Sequence, residues 1–268
     1  MERRQLGTAG PEVPVVGVGT WKTFDVKRAA DRRPVVDVAL ELGANLFDSS
    51  PMYGAAEHVL GELLGGRRDQ ALVATKVWTP DDAEAERQIE RALSYYDGVV
   101  DLYQVHNLVA WPARLALLER LRDAGSVRSI GITHYAHSAF DELMQIMRGG
   151  RVSSIQVPYN ALDRAVERAV LPLAAELGIG VLIMQPLGTG PLARRSVSSE
   201  QLRPLSAFGV HSWSQALLKW LLSDPRVTTV LPATTSAEHM RLNAQAGNGP
   251  WFGAEERAYV VQLAEATR

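Results

Sequence analysis

Short apolar runs recur along the chain, each followed by a stretch whose apolar positions fall three and four apart. That alternation predicts strands and helices in turn. The opening is different: Arg3 to Pro14 carries turn signals at Gly7, Gly10 and Pro11 and predicts a small hairpin or cap. VVGVG (15–19) then predicts a short buried strand, with a helix from about Val26 to Leu42 behind it. ANLFDS predicts strand two, followed by a helix from about Ala55 to Leu64. ALVATKV predicts strand three, before a long charged helix running to about Tyr96 that Asp81 or Asp82 caps. VVDLYQVH reads as strand four, with Pro112 in the first turn of the next helix. SVRSIGIT, VSSIQV and IGVLIM read as strands five to seven, separated by helices over about 138–147 and 166–177. The polar stretch from Gly188 to about Phe208 is expected to be one long irregular loop. A helix from Trp213 to Leu222, the strand RVTTVLP and a helix from Ala237 to Ala246 complete an eighth unit, and an amphipathic helix follows over 254–266.

Eight apolar runs joined by helical crossovers argue for parallel βα units, because parallel strands need such connections. At 268 residues, closure into an eight-stranded parallel (β/α)8 TIM barrel with an N-terminal hairpin cap is the expected α/β fold. A doubly wound open sheet is the alternative. It would want a glycine-rich turn after strand one, and GVGTWK holds no G-x-G-x-x-G. No interdomain linker and no repeat beyond the βα period is evident, so residues 1–268 are expected to form one domain.

Composition narrows the function. The hydrophobic fraction is 46% and mean hydropathy is -0.07, which suits a globular protein with a sizeable core. A net charge of -2 gives no electrostatic footprint for nucleic acid or an anionic membrane. There is no cysteine, hence no disulfide framework, thiolate metal site or thiol nucleophile, and no metal is expected. The first residues lack the apolar core of a signal peptide, and no apolar stretch is long enough to span a bilayer. A cytoplasmic protein, monomeric rather than oligomeric, is the expectation.

Four polar residues stand at or just past the ends of predicted strands: Asp48 after ANLF, Tyr53 five residues on, Lys76 after ALVAT, and His106 after VVDLYQV. In a barrel the C-terminal strand ends carry the chemistry. Alone, each has a bland explanation: packing for Tyr53, a helix cap for Asp48, a surface cation for Lys76, a satisfied core group for His106. Together they suit carbonyl reduction, which builds negative charge on oxygen and ends with a proton. Tyrosine is the acid, lysine the cation that tunes it, aspartate the anion that holds the cation, and neutral histidine a second donor. Of the 28 basic residues only positions 22, 27, 76 and 219 are lysine, so a compact point charge at 76 departs from the chain's habit of using arginine. An ammonium about 4 Å from the phenolate favours ionisation by roughly 4 kcal/mol at an effective dielectric near 20. Desolvation and Asp48 oppose it, so a tyrosine pKa between neutrality and the free value is expected. A Schiff-base aldolase also uses a strand-end lysine, but there the lysine must lose its proton, and an acid placed to hold the charge argues against it.

Along nearly its whole length the chain resembles the aldo-keto reductases. LGTAGPEVPVVGVGTWK, the segment from Asp48 to Gly54 with Glu57 behind it, TKVW, QVHN, GITH, QVPYN, the QPLG turn and LPATTSAEH followed by Asn243 occur in that family's order. The resemblance implies a β/α barrel, a nicotinamide cofactor held without a Rossmann fold, and reversible reduction of aldehydes or ketones. It places Gly19, Thr20, Trp21 and Lys22 beside the cofactor, with Asp48. Thr133, His134 and Gln156 would grip the nicotinamide carboxamide, although the family has Ser-Asn where this chain has Thr133-His134. Met184 takes the place of an aromatic ring that stacks on the nicotinamide, and Gln185, Leu187 and Gly188 follow it. Around the 2′-phosphate the family's Lys and Arg are replaced by Ala233 and His239. Thr234, Thr235, Ser236 and Arg241 remain near that site, and Asn243 matches a contact to adenine. NADP (as NADPH) is the implied cofactor, with NAD possible.

Trp21, Trp78 and Trp111 each follow a strand end, with Asn107 beside His106, and predict an aromatic mouth shared with Tyr53 and His106 for a small-molecule carbonyl substrate. The chain ends at Arg268 on its last helix, so an open site with broad specificity is expected. A second reading, a nicotinamide-binding redox sensor or regulatory subunit with little turnover, has no appended interaction segment in its favour.

Overall fold

In the computed structural model, which describes residues 1–8 and 10–266, the chain opens on a hairpin of β1 (Arg3–Gln5) and β2 (Glu12–Pro14). They pair antiparallel, Arg3 opposite Pro14. The βα units follow in order: β3 (Val18–Gly19) and α1 (Arg33–Glu41), β4 (Leu46–Asp48) and α2 (Ala56–Leu64), β5 (Leu72–Val77) and α3 (Asp82–Tyr95). Then come β6 (Val100–His106) and α4 (Trp111–Asp123), β7 (Val127–Thr133) and α5 (Phe140–Arg148), β8 (Ser154–Pro158) and α6 (Val170–Leu177). After β9 (Gly180–Met184) lie α7 (Ser199–Leu202) and α8 (Trp213–Leu222), then β10 (Thr229–Val230), α9 (Ala237–Gln245) and α10 (Ala254–Ala266).

Strands β3 to β10 form one parallel sheet in sequence order. The sheet curls until its first and last strands meet. Val16 bridges Val230 in parallel, and Gly17 and Gly19 donate N–H groups to the carbonyls of Val230 and Pro232 at 2.9 and 3.0 Å. That seam closes the barrel and removes the open-sheet alternative. Glycine is required there, because a Cβ on Gly17 would lie 2.7 Å from the Leu46 carbonyl and one on Gly19 2.9 Å from that of Leu231.

The period-2 alternation of strands sorts the interior into layers. At the N-terminal end, Leu46, Ala74, Leu102, Leu182 and Leu231 converge, and Leu6 and Val13 of the hairpin pack onto them as a plug. Two residues further along each strand the interior becomes polar: Asp48, Lys76, Gln104 and Gln156 face inward. The larger core lies between strands and helices, and α8 is sunk in it with every residue but Ser214 buried.

Two predicted segments differ. The helix expected over 26–42 begins only at Arg33, preceded by a short 3-10 turn at Ala29–Arg32. Pro34 explains it: proline lacks an N–H and clashes with the carbonyl four residues back, so it is tolerated only in a first turn. The stretch 188–208 is not irregular throughout. It holds a 3-10 turn at Leu192–Arg194, then α7, which Ser198 and Gln201 open as a capping box, and a further 3-10 turn at Arg203–Phe208. Of the two caps considered for α3, Asp81 serves, accepting from Glu84 N–H at 2.7 Å. Among the described residues no helix is long and apolar enough to cross a membrane. Arg268, the expected end of the last helix, lies outside the described residues.

Candidate active site

A cavity of about 560 Å3 opens at the C-terminal ends of the strands. Asp48 is the last residue of β4 and His106 the last of β6, while Lys76 lies one residue short of the end of β5. Tyr53 is brought back over them by a turn in which its N–H donates to the Ser50 carbonyl at 3.0 Å. The four predicted residues therefore meet at one place.

Lys76 is fully buried and its ammonium is saturated with acceptors. Nζ donates to Asp48 Oδ1 at 2.8 Å, to Oδ2 at 2.7 Å and to the Ser49 carbonyl at 2.7 Å. Burial works against this charge, but Asp48 and the Tyr53 hydroxyl outweigh it and raise the lysine pKa above its ordinary value. A lysine held in this way stays protonated, which removes the imine chemistry of an aldolase.

Lys76 Nζ lies 5.2 Å from the centroid of the Tyr53 ring. Burial raises the Tyr53 pKa, the lysine charge lowers it, Asp48 raises it again, and the net shift is upward from the free value. The sequence expectation of a value below the free one is corrected. Desolvation of the phenol exceeds the pull of a cation that Asp48 already half neutralises. Tyr53 is therefore fully protonated near neutrality, a proton store rather than a standing phenolate.

His106 packs edge-on to Tyr53, ring centroids 5.9 Å apart at 88°. Burial, then the nearby Lys76 charge, push its pKa down to about 2, so the imidazole is neutral. Its Nδ1 lies 2.9 Å from Ser50 Oγ.

The cavity wall also includes Gly19, Thr20, Trp21, Lys22, Asn107, Gln156, Met184, Gln185, Leu187 and Ala233. Thr133 stands behind Gln156, its Oγ1 3.5 Å from Gln156 Oε1. Gln156 Nε2 is buried with no partner, an orphaned donor. His134 lies outside the wall: Nδ1 accepts from Ala136 N–H at 3.0 Å, and the ring stacks on Tyr135. Gly188 lies in the adjoining turn with φ 58°. Beyond Ala233, Thr234 Oγ1 accepts from Ser236 N–H, and Ser236 Oγ caps α9 by accepting from His239 N–H. Thr235 and His239 are exposed, Asn243 is buried, and Arg241 faces Glu41 at 3.9 Å.

Of the three tryptophans expected at the mouth, Trp21 alone is in the cavity wall, beneath the Lys22 ammonium, which is 4.3 Å from its ring; Trp78 and Trp111 lie outside that wall. Trp78 is exposed with its ring 6.5 Å from that of His106. Trp111 opens α4, and its indole donates to Glu142 at 2.9 Å. Sequence reasoning missed Met52, Tyr135 and Arg194 in the wall, and Gln104 and Ser50 behind it. Only Ser50 and Met52, which fall between Asp48 and Tyr53, carried a positional signal.

The backbone around the cavity is unusual. Of the seven described non-glycine residues with positive φ, six lie in the loops that follow strand ends: Lys22, Asn107, Leu108, Ala110, Gln185 and Thr189.

A closed barrel that holds a protonated tyrosine, a permanent cation and a neutral imidazole around one cavity belongs to the oxidoreductases that act on carbonyls. The chain is a member of the Aldo/keto reductase family, whose model matches residues 15–265. It is 28% identical to the methylglyoxal reductase YeaE of Escherichia coli over 91% of this chain and 89% of that one. It is 27% identical to the NADH-specific methylglyoxal reductase of Escherichia coli, over 92% and 94%. Its fold matches an aldo/keto reductase from Klebsiella pneumoniae solved with NADP and acetate, with a TM-score of 0.83, 24% identity, and 97% and 96% of the chains covered.

Proposed function

We propose that the protein reduces small aldehydes or ketones to alcohols with a nicotinamide cofactor, NADPH in preference to NADH, and that Tyr53 is the general acid. The observation that carries this reading is the Lys76–Asp48 pair buried beside Tyr53 in the wall that His106 shares.

The wall fits a dinucleotide in two respects. Gln156 Nε2 is a buried donor without a partner, suited to the carboxamide oxygen of a nicotinamide. Lys22 and Arg194 line the cavity with no acidic partner among the described residues and supply charge for phosphates. When bound, the reduced nicotinamide supplies the hydride. His106 orients the carbonyl by an N–H donated to its oxygen. As charge builds there, Tyr53 hands over its proton, and the raised pKa is no obstacle because an alkoxide is far more basic than a phenolate. Lys76 stabilises the phenolate left behind until solvent reprotonates it. Trp21, Met52 and Tyr135 give the mouth apolar surface, which favours apolar or aromatic carbonyls.

The test is steady-state oxidation of NADPH and NADH across a panel of aldehydes and ketones. Multiple turnovers with aldehydes are expected. Tight cofactor binding without turnover on any carbonyl would move the protein to the sensors.

A further inference from the structure

We propose that Ser50 is a positioning residue that fixes His106 in the tautomer protonated at Nε2, and so makes it a donor toward the carbonyl oxygen. The inference rests on the carbonyl-reductase reading for its consequence, but its geometry stands alone.

Ser50 is fully buried in the turn between β4 and Tyr53. Its Oγ has two polar neighbours, Met52 N–H at 3.3 Å and His106 Nδ1 at 2.9 Å. A hydroxyl has one proton and two lone pairs. The amide can only donate, so it occupies a lone pair. Among the described residues Nδ1 is then the only acceptor that the hydroxyl proton reaches. Burying that proton unpaired would cost the full desolvation of a donor. The arrangement therefore runs as a chain: the Met52 amide donates to Ser50 Oγ, and Ser50 donates to Nδ1.

Nδ1 thus keeps its lone pair. An imidazole that stays neutral beside Lys76 has a single N–H, which must be at Nε2. Nε2 has no partner among the described residues, and His106 lines the cavity. The opposite tautomer would turn a lone pair toward the carbonyl oxygen and repel it. Serine can enforce this because its hydroxyl is the only rotor in the chain, while the Met52 amide is fixed by the backbone.

The test is a long-range 1H–15N spectrum of 15N-histidine-labelled protein from pH 5 to 8, with His106 assigned by its loss in His106→Gln. The expected wild-type pattern is a bare Nδ1 and a protonated Nε2, unchanged across that range. Ser50→Ala should mix or invert the two nitrogens and lower kcat/KM roughly tenfold, while Ser50→Thr, which keeps the hydroxyl, restores both. A protonated Nδ1 in the wild type overturns the proposal, whether or not Ser50→Ala folds. An unchanged His106 pattern in folded Ser50→Ala overturns it too. Because the spectrum is read without substrate, failure of the tautomer assignment is distinct from failure of the reductase reading, which the carbonyl panel decides.

Discussion

Gln104 and Asp48 meet inside the barrel at 3.1 Å, although β5 lies between the strands that carry them. Gln104 sits directly beside Lys76 in the ladder, and its amide reaches past the lysine to Asp48 Oδ1. The carboxylate that neutralises Lys76 is therefore held from two strands at once. Gln104→Leu should cost about 1.5–3 kcal/mol in urea unfolding, the range for a hydrogen bond to a charged group. It should leave kcat within tenfold, because Lys76 still holds both carboxylate oxygens. A loss of activity as large as that of Tyr53→Phe would show that Gln104 does more than hold Asp48.

Tyr53→Phe removes the proton donor and one contact to the developing oxyanion. A fall in kcat of about a hundredfold or more is expected, with cofactor affinity by fluorescence titration nearly unchanged. Near-normal turnover in a pure variant would sink Tyr53 as the acid.

Lys76→Met should shift the alkaline limb of kcat, where Tyr53 loses its proton, to higher pH, since lysine is a group that pulls the Tyr53 pKa down. Removing the cation strands Asp48 as a buried charge, which typically costs 3–5 kcal/mol. The measurement is best repeated in Lys76→Met with Asp48→Asn. Borohydride with a carbonyl substrate should trap nothing on wild-type Lys76, and a stable adduct there would contradict the reductase mechanism.

Cofactor choice turns on Ala233 and the start of α9. The Ser236 hydroxyl already caps His239 N–H, Arg241 leans toward Glu41, and Ala233 brings no charge. Each charge-assisted bond to a 2′-phosphate is worth roughly 1.5–3 kcal/mol, so discrimination against NADH should be modest. Ala233→Lys should widen it tenfold or more, read as the ratio of kcat/KM for the two cofactors. A strong NADPH preference that does not respond to position 233 would place the phosphate on other groups.

Glu57 gives a stability test. It is buried on α2, where it accepts from the Thr75 hydroxyl, and burial pushes its carboxyl up to about 7. Between about pH 4.5 and 7 the folded chain keeps a proton that the unfolded chain has lost, so this group's contribution falls as pH rises. The span corresponds to about 3 kcal/mol. Glu57→Gln should gain on the wild type by about that amount across the window, and parallel unfolding curves would contradict it.

Much of the site was legible because a parallel barrel converts local sequence into place: a residue at a strand end is at the catalytic face wherever it falls in the chain. Asp48, Tyr53, Lys76 and His106 needed no more than that. Gln104 was hidden because its role depends on register against β5, which no local pattern encodes. Arg194 and Tyr135 were hidden because loops set their direction. The helix expected at 26–42 went wrong on a local rule, for Pro34 in the sequence already forbade it. The Tyr53 pKa went wrong on magnitude, since the depth of burial is a property of the whole fold.

The left-handed loop residues carry a consequence for engineering. Non-glycine backbone in that region costs of order 1–3 kcal/mol per residue, and Asn107, Leu108 and Ala110 bear it within four positions of His106. A search for thermostable variants would therefore find glycine attractive at these positions. The same substitutions would slacken the stretch of chain that leads away from the histidine. Heat tolerance and turnover should trade against each other here, and a stabilised form is better sought in the helices on the far side of the barrel.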